Sequence, residues 1–510
     1  MTDILPEWTE RAEKRGLDPL GMQNLGVALY QRLMPGISNV TLRMRYYGFY
    51  CWLSDSYARE VGSTDYELWR QWVRRGEALL ALAASRAGGL TGNGAGGIGG
   101  IEWAKEALDT ACTSGLDAID FSVAASTDPN ERRYLRQSMG VFGGAYFSQL
   151  AEMGLFEIGP DGLQRPTGAG RELAHHFLDA IGEGVAAAFR AAVRSGTVTI
   201  PTLDSLKPMV PAGIPQASAE RAVYEALLLG RDCSGQGALS RRDTFSLVLR
   251  TAEAGDRRPD ESLVRWHLFE PNHGLGVALE AQRLRWEAYH CHDMFQVAAG
   301  ALLDWAIELL GSVPNGLYPP QLRALAEKRL IEALGTDAYP VWSGLRDATQ
   351  AFDFMAAWIQ LTGRRGGREE RAVVAVRLMA ALDARAAARL DLTAVMQDEL
   401  RPRGGARSIV GELAFLRERD GQPVPSLVSN YLLDRIVGRH GQVALQKLRR
   451  QRDYTFLFET RDGRLVPLAG YQPVPTTPRL GPAIQFLADV ALIDGDGLTA
   501  RGRAVLGANG

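Results

Sequence analysis

Four of the seven histidines, His267, His273, His290 and His292, fall within 26 residues, with Glu270 and Asp293 beside them. The string Tyr289-His-Cys-His-Asp293 is the most ligand-like in the chain, since imidazole and carboxylate together suit a divalent transition metal. Spacing works against it. On a helix His290 and Asp293 share a face, whereas His290 and His292 point about 200° apart. His-x-His chelation suits a strand, and the segment from Leu284 to Leu310 reads as helix. A metal-dependent enzyme at His290, His292 and Asp293 therefore ranks third among the functional readings. Polar residues lining a helix interface is the alternative for this cluster.

Other catalytic signatures are missing from the sequence. It has no HExxH zinc motif, no G-x-S-x-G nucleophile elbow, no Ser-x-x-Lys and no Glu-x-Lys of common nuclease cores. Cys51 has no histidine near it in sequence, and Glu369-Glu370 reads as a solvated pair at a helix start. The four cysteines, Cys51, Cys112, Cys233 and Cys291, lie far apart with no CxxC. That excludes a cysteine zinc ribbon and fits reduced thiols. The glycine-rich run 88–100 contains Gly92, Gly94 and Gly97 in G-x-G-x-x-G order. A dinucleotide fingerprint needs a strand before it, and here a helix precedes, so the run reads as a surface loop. No cofactor and no metal site are implied.

What remains as candidate chemistry is arginine. Only five of the 57 basic side chains are lysine, which codon bias in a GC-rich bacterial genome would produce by itself. The functional reading is bidentate phosphate contact. The 57 basic and 59 acidic residues give a formal net charge of −2, which excludes a uniformly basic DNA-coating protein. The sum hides polarity. Residues 361–452 hold seventeen Arg and one Lys against ten acidic residues, or +8, leaving −10 for the rest. The densest points are Arg364, Arg365, Arg368 and Arg371, then Arg401, Arg403 and Arg407, then Lys447, Arg449, Arg450 and Arg452. Of these, Arg364, Arg365, Arg401, Arg403, Arg407, Lys447, Arg449, Arg450 and Arg452, with Arg479, Arg501 and Arg503 further on, are candidate phosphate contacts, duplex DNA being the favoured ligand. The alternatives are a solvated face or internal salt bridges to the acidic remainder.

These residues must be positioned by a mainly α, multi-domain chain. At 510 residues, 46% hydrophobic and 23% charged, it can bury a sizeable core without disulfides or metals. Three- and four-residue apolar spacing predicts helices over 22–33, 41–60, 66–86 and 101–112. The second carries aromatics all round, which predicts burial between several neighbours. The organisation read from the sequence is a helical region 1–87, the glycine-rich loop 88–100, and a helical region 101–194. A proline-rich linker at 195–217, a helical domain at 218–452 and a final segment at 453–510 follow. Ser240-Arg-Arg-Asp243 reads as a capping box, and Pro259, Pro319-Pro320 and Pro340 as further breaks. Tyr454–Glu459, Arg461-Asp-Gly and Leu465–Tyr471 read as a β-hairpin. The N-terminus lacks a signal-peptide pattern, and the apolar stretch Ala298–Leu310 is broken by Asp304 and too short to span a bilayer. A cytoplasmic protein without membrane attachment is expected.

The most specific feature is a duplication. YFSQLAEMGLFEIGPDGLQRPTGAGRELA (146–174) and IQFLADVALIDGDGLTARGRAVL (484–506) share one order. Each has a helix ending Leu-Ala-acid, a short strand and an Asp-Gly turn. A return strand and a helix opening at Thr167 or Thr499 follow, then Gly170-Arg171 or Gly502-Arg503. Each unit resembles the second half of a winged-helix domain. The resemblance implies two small α+β units and DNA binding, with the helix before the wing in the major groove. That helix lacks basic residues in both copies, offering Ser148, Gln149 and Glu152 or Gln485 and Asp489, which weakens base reading. Arg132, Arg133 and Arg136 flank the first unit and leave phosphate contact open.

Finally, Leu33-Met-Pro-Gly-Ile-Ser-Asn-Val-Thr-Leu-Arg-Met-Arg-Tyr-Tyr-Gly-Phe-Tyr-Cys-Trp52 resembles uncharacterised bacterial proteins of defence-type gene clusters. The resemblance implies a non-catalytic component beside a separate ATPase or nuclease, and transfers no functional residue. The leading expectation is a nucleic-acid-binding, protein-docking component. A purely protein-binding scaffold or oligomeric structural subunit comes second.

Overall fold

Aromatic side chains gain most by leaving water, and the helix Arg45–Glu60 buries its first ten positions in an unbroken run from Arg45 to Ser54. Phe49 and Trp52 meet Phe189 with ring centroids 5.9 and 5.4 Å apart, and Tyr50 meets Tyr146 at 4.8 Å. This computed structural model describes residues 18–88, 98–128, 130–211, 213–215, 217–230, 235–255, 257–271, 274–334, 341–402 and 407–508. The chain is mainly helical, and its strands among the described residues form only two-stranded antiparallel pairs. Helices Gln23–Leu33, Tyr66–Gly88 and Ile101–Thr113 lie where apolar periodicity puts them. Most of the glycine-rich run lies outside the described residues.

Two compact units are present, neither a single stretch of chain. One comprises Gln31–Arg283 and the residues from Thr477 on, and is here the Arg45 unit. The other comprises the residues up to Tyr30 and Leu284–Thr476, and is the Glu412 unit.

In the first, Arg45 is buried and its guanidinium grips Glu220 with both ends, at 2.9 and 3.1 Å. Nη1 donates to the carbonyls of Pro208, Val210 and Gly213 at 2.8, 3.1 and 3.0 Å. The proline-rich stretch expected to be a linker is therefore folded. Thr197–Thr199 pairs with Ala118–Asp120, Ile200–Ser205 is helical, and the carbonyls beyond it satisfy Arg45. Prolines removed N–H donors there, but left carbonyls free to accept.

The duplicated units fold alike. Phe147–Glu152 leads into Phe156–Ile158, Gln164–Pro166 and the helix Gly168–Ile181. Leu480–Asp489 leads into Ile493–Asp494, Gly497–Leu498 and the helix Ala500–Ala508. Thr167 and Thr499 accept the N–H groups of Gly170 and Gly502 at 3.2 and 3.0 Å. Arg171 and Arg503 donate to the Pro166 and Leu498 carbonyls at 3.0 and 2.8 Å. A Cβ at Gly170 would lie 2.2 Å from the Leu155 oxygen, and one at Gly502 2.3 Å from that of Leu492. The repeated threonine, glycine and arginine are thus one packing device used twice.

Two other sequence readings change. The helix Gln236–Ala254 runs through Ser240, which is buried and donates to the Leu33 carbonyl, so Ser240–Asp243 is no capping box. Serine in a helix interior can bond a neighbouring element instead of capping. The hairpin is shorter than expected, pairing Phe458–Arg461 with Arg464–Pro467 across Asp462-Gly463, both at positive φ. The helix Val277–Gly311 is long and apolar enough to cross a membrane, but 89% of its most apolar window is buried in protein.

Removing Arg45 leaves a carboxylate buried without its partner. Arg45→Met is expected to lower unfolding free energy by about 3–5 kcal/mol in urea. Arg45→Met/Glu220→Met should lose less, because no charge is then stranded. Equal losses for single and double variants would contradict this account.

Candidate functional site

The Glu412 unit resolves where the arginine excess goes. Four buried carboxylates consume much of it. Asp304 lies 2.8 Å from both Arg368 and Arg371, and Glu287 lies 2.7 and 2.8 Å from Arg385 and Arg389. Asp383 takes Arg417 and Arg346 and accepts the Trp342 indole N–H at 2.9 Å. Glu412 takes Arg407 at 2.7 Å, Arg435 at 3.2 Å and the Tyr431 hydroxyl at 2.8 Å. Burial pushes the Glu412 carboxyl up, but Arg407 and Arg435 more than offset this and hold it below the ordinary range.

The candidate phosphate contacts therefore divide. Arg407 is buried in the Glu412 pair and also donates to the Arg435 carbonyl, so it is an internal cation. Lys447 is half-buried, donates to the Asp18 carbonyl at 3.2 Å, and has its ammonium pushed down by burial. Arg479 is buried in the Arg45 unit and donates to the Ile37 carbonyl. Arg501 pairs with Glu225 at 2.6 Å, and Arg503, though exposed, serves its own unit's return strand. Arg132 pairs with Glu106 at 2.8 Å, and Arg133 donates to the Arg136 carbonyl. Arg403 lies outside the described residues.

Arg364, Arg365, Arg401, Arg449, Arg450 and Arg452 are exposed and make no ion pair among the described residues. Three of them end one helix. Gly438–Gln451 buries His440, Val443 and Ala444 and turns Gln442, Gln446, Arg449 and Arg450 outward. Arg452 is its C-cap at φ +56°, and Arg364 follows Phe354–Thr362 at φ +57°. Glycine is the usual residue for that left-handed conformation, which costs other L-residues about 1–2 kcal/mol. At both positions the chain carries an exposed guanidinium instead.

The histidine string does not form a site. Ile409 donates its N–H to His292 Nδ1 at 3.2 Å, so Nε2 carries the proton and donates to the Met22 carbonyl at 2.8 Å. Asp293 accepts from the Thr476 N–H and hydroxyl at 2.9 and 2.8 Å. His290 stacks on Trp286, centroids 5.9 Å apart. Among the described residues, no group of three His, Cys, Asp or Glu is placed to hold a metal. His273 lies outside them. Burial pushes the Cys51 thiol well up, which disfavours a nucleophilic thiolate there.

Neither helix that a winged-helix reading sends into the major groove is a basic face. Every residue of Leu480–Asp489 is buried or half-buried, and Asp489 pairs with Arg43 at 2.9 Å and accepts the Met44 N–H at 3.0 Å. Glu152, its counterpart in the first copy, accepts the Gly36 N–H at 2.7 Å. No known protein family, curated protein or solved structure matches this chain.

The Glu412 unit has a built-in acid sensitivity. Leu457 donates to His440 Nε2 at 2.9 Å, and Nδ1 donates to the Pro19 carbonyl at 3.2 Å. Burial pushes this imidazole down to about 4, and pushes His292 down as well. Folding then favours the neutral forms, so their contribution is complete above pH 6.5 and is lost as pH falls toward 4. His440→Gln should lower the melting temperature at pH 7.5 and show a smaller further drop to pH 4.5 than the parent. Parallel curves for the two proteins would refute the assignment.

Proposed function

We propose that the chain is a non-catalytic component of a bacterial multi-protein system that grips nucleic-acid backbone and docks other proteins. The observation that carries this reading is the unpaired arginine set on the Glu412 unit, above all Arg449, Arg450 and Arg452 closing one helix. A helix C-terminus favours cations, but one solvated charge suffices for that effect. Three arginines there, with Arg364, Arg365 and Arg401, supply the separated point charges that a phosphate backbone neutralises. The resemblance of residues 33–52 to proteins of defence-type clusters agrees with a cytoplasmic role beside a separate enzyme.

The two duplicated units, winged-helix-like in their order of elements, enter this reading as docking modules. The tip of the second is acidic and exposed at Asp494 and Asp496, which repels phosphate and suits a basic protein surface. That observation also favours the second reading, a protein-binding scaffold that touches no nucleic acid.

Duplex binding separates the two. Three neutralised phosphates give a log–log salt slope of about −2.7, so raising salt from 50 to 200 mM weakens binding about 40-fold. Arg449→Gln/Arg450→Gln/Arg452→Gln should remove that part of the slope, with equal affinity for two unrelated sequences before and after. Weak binding that ignores both salt and the triple substitution leaves the scaffold reading.

A further inference from the structure

A cavity of about 360 Å³ opens within the Glu412 unit, walled by Arg407, Ser408, Gly411, Glu412, Arg435 and Arg439. Its size falls in the range of small-molecule sites. Ser408 is the N-cap of the nine-residue helix Ile409–Arg417, yet its hydroxyl caps nothing. That hydroxyl is buried and has no hydrogen-bond partner, which a folded chain tolerates rarely. The Gly411 N–H, in the first turn of the same helix, has no partner among the described residues either. Among the described residues its lining carries three guanidiniums, of Arg407, Arg435 and Arg439, and two carboxylates, Glu412 and Asp434. Glu412 is already held by Arg407, Arg435 and Tyr431, and Arg435 keeps Nη1 outside that pair. Burial, together with Arg407 and Arg435, pushes the Arg439 guanidinium down against Asp18 and Glu412, and its Nε and Nη1 donate to the Leu20 carbonyl and to Gln442 Oε1 at 3.4 Å.

We infer that this cavity is a binding site for a small, hydroxyl-rich phosphate ester. The phosphate would take the Ser408 hydroxyl, the helix N-terminus and Nη1 of Arg435, the arrangement that phosphate oxygens favour. Among the described residues the walls hold no aromatic ring on which a base stacks, whereas Asp434 and Gln442 offer partners for hydroxyl groups. This selects sugar-phosphate chemistry over a nucleotide. The inference stands apart from backbone binding by the exposed arginines, because none of Arg364, Arg365, Arg401, Arg449, Arg450 or Arg452 lines the cavity.

Two substitutions test it. Ser408→Ala removes a hydroxyl that bonds nothing, and a Cβ at Gly411 meets nothing within 4 Å. Calorimetric titration of the full chain with glucose 6-phosphate, inorganic phosphate, glucose and AMP provides the readout. Expected are saturable binding of glucose 6-phosphate, weaker binding of inorganic phosphate and none of glucose. Ser408→Ala should weaken it about tenfold, as loss of one charge-assisted hydrogen bond does, at unchanged melting temperature. Gly411→Phe should abolish it. Absence of saturable binding at millimolar ligand, or binding indifferent to both substitutions, overturns the proposal. Tighter binding of AMP than of the sugar phosphate overturns the choice of ligand class.

Discussion

A carboxylate taken out of water must be answered by charge and hydrogen bonds, and this chain does so repeatedly with arginine. Glu287, Asp304, Asp383 and Glu412 are all nearly inaccessible, and each is met by two guanidiniums. Desolvating such an ion costs several kcal/mol, which only well-placed partners recover. The planar fork of arginine reaches two oxygens at once, where lysine offers a point charge. Two cations to one anion also explains a basic stretch inside a near-neutral protein. Part of the excess at 361–452 is the complement of buried acids, two of which, Glu287 and Asp304, lie outside that stretch.

The same constraint organises the Arg45 unit. Arg45 holds Glu220 and draws three carbonyls of the proline-rich stretch onto the start of the aromatic helix. Just before it, the duplicated units converge on residues 36–44, where Glu152 takes the Gly36 N–H and Asp489 takes Arg43 and the Met44 N–H. Backbone N–H groups ahead of a helix have no intrahelical partner. Each copy supplies one carboxylate to that region. The segment 33–52 and the duplication, unconnected in sequence, are two sides of one construction. This accounts for an acid at the end of each first helix, where a groove-reading helix would carry a base.

Helices, the aromatic core helix, the hairpin and the duplication were legible because their signals are local: apolar spacing, an Asp-Gly turn, a threonine three residues before a glycine. What stayed hidden was partnership. Arg407 and Arg449 look alike in a basic run, yet one is sealed against Glu412 and the other is exposed. Arg371 finds Asp304 across 67 residues and Arg389 finds Glu287 across 102. No periodicity encodes such pairings. Ser240 misled for the same reason, since its Ser-x-x-Asp pattern is a capping signal only where a helix begins. Ser408, Gly411 and Arg439 gave no sign at all, because the cavity exists only once three helices have met.

Function is then most legible in what the fold does not consume. Arginines that answer a buried acid would be needed for stability whatever the protein does. Arg364 and Arg452 answer none, and both occupy left-handed backbone where glycine would be cheaper by about 1 kcal/mol. Arg479 shares that conformation but is repaid by the Ile37 carbonyl it reaches. Ser408 is the polar counterpart, a buried hydroxyl that alanine would replace without loss to the folded chain. Stability selects against such features unless another benefit offsets them. Two left-handed arginines and one idle hydroxyl in the same unit are therefore the features that the proposed negatively charged ligands would account for.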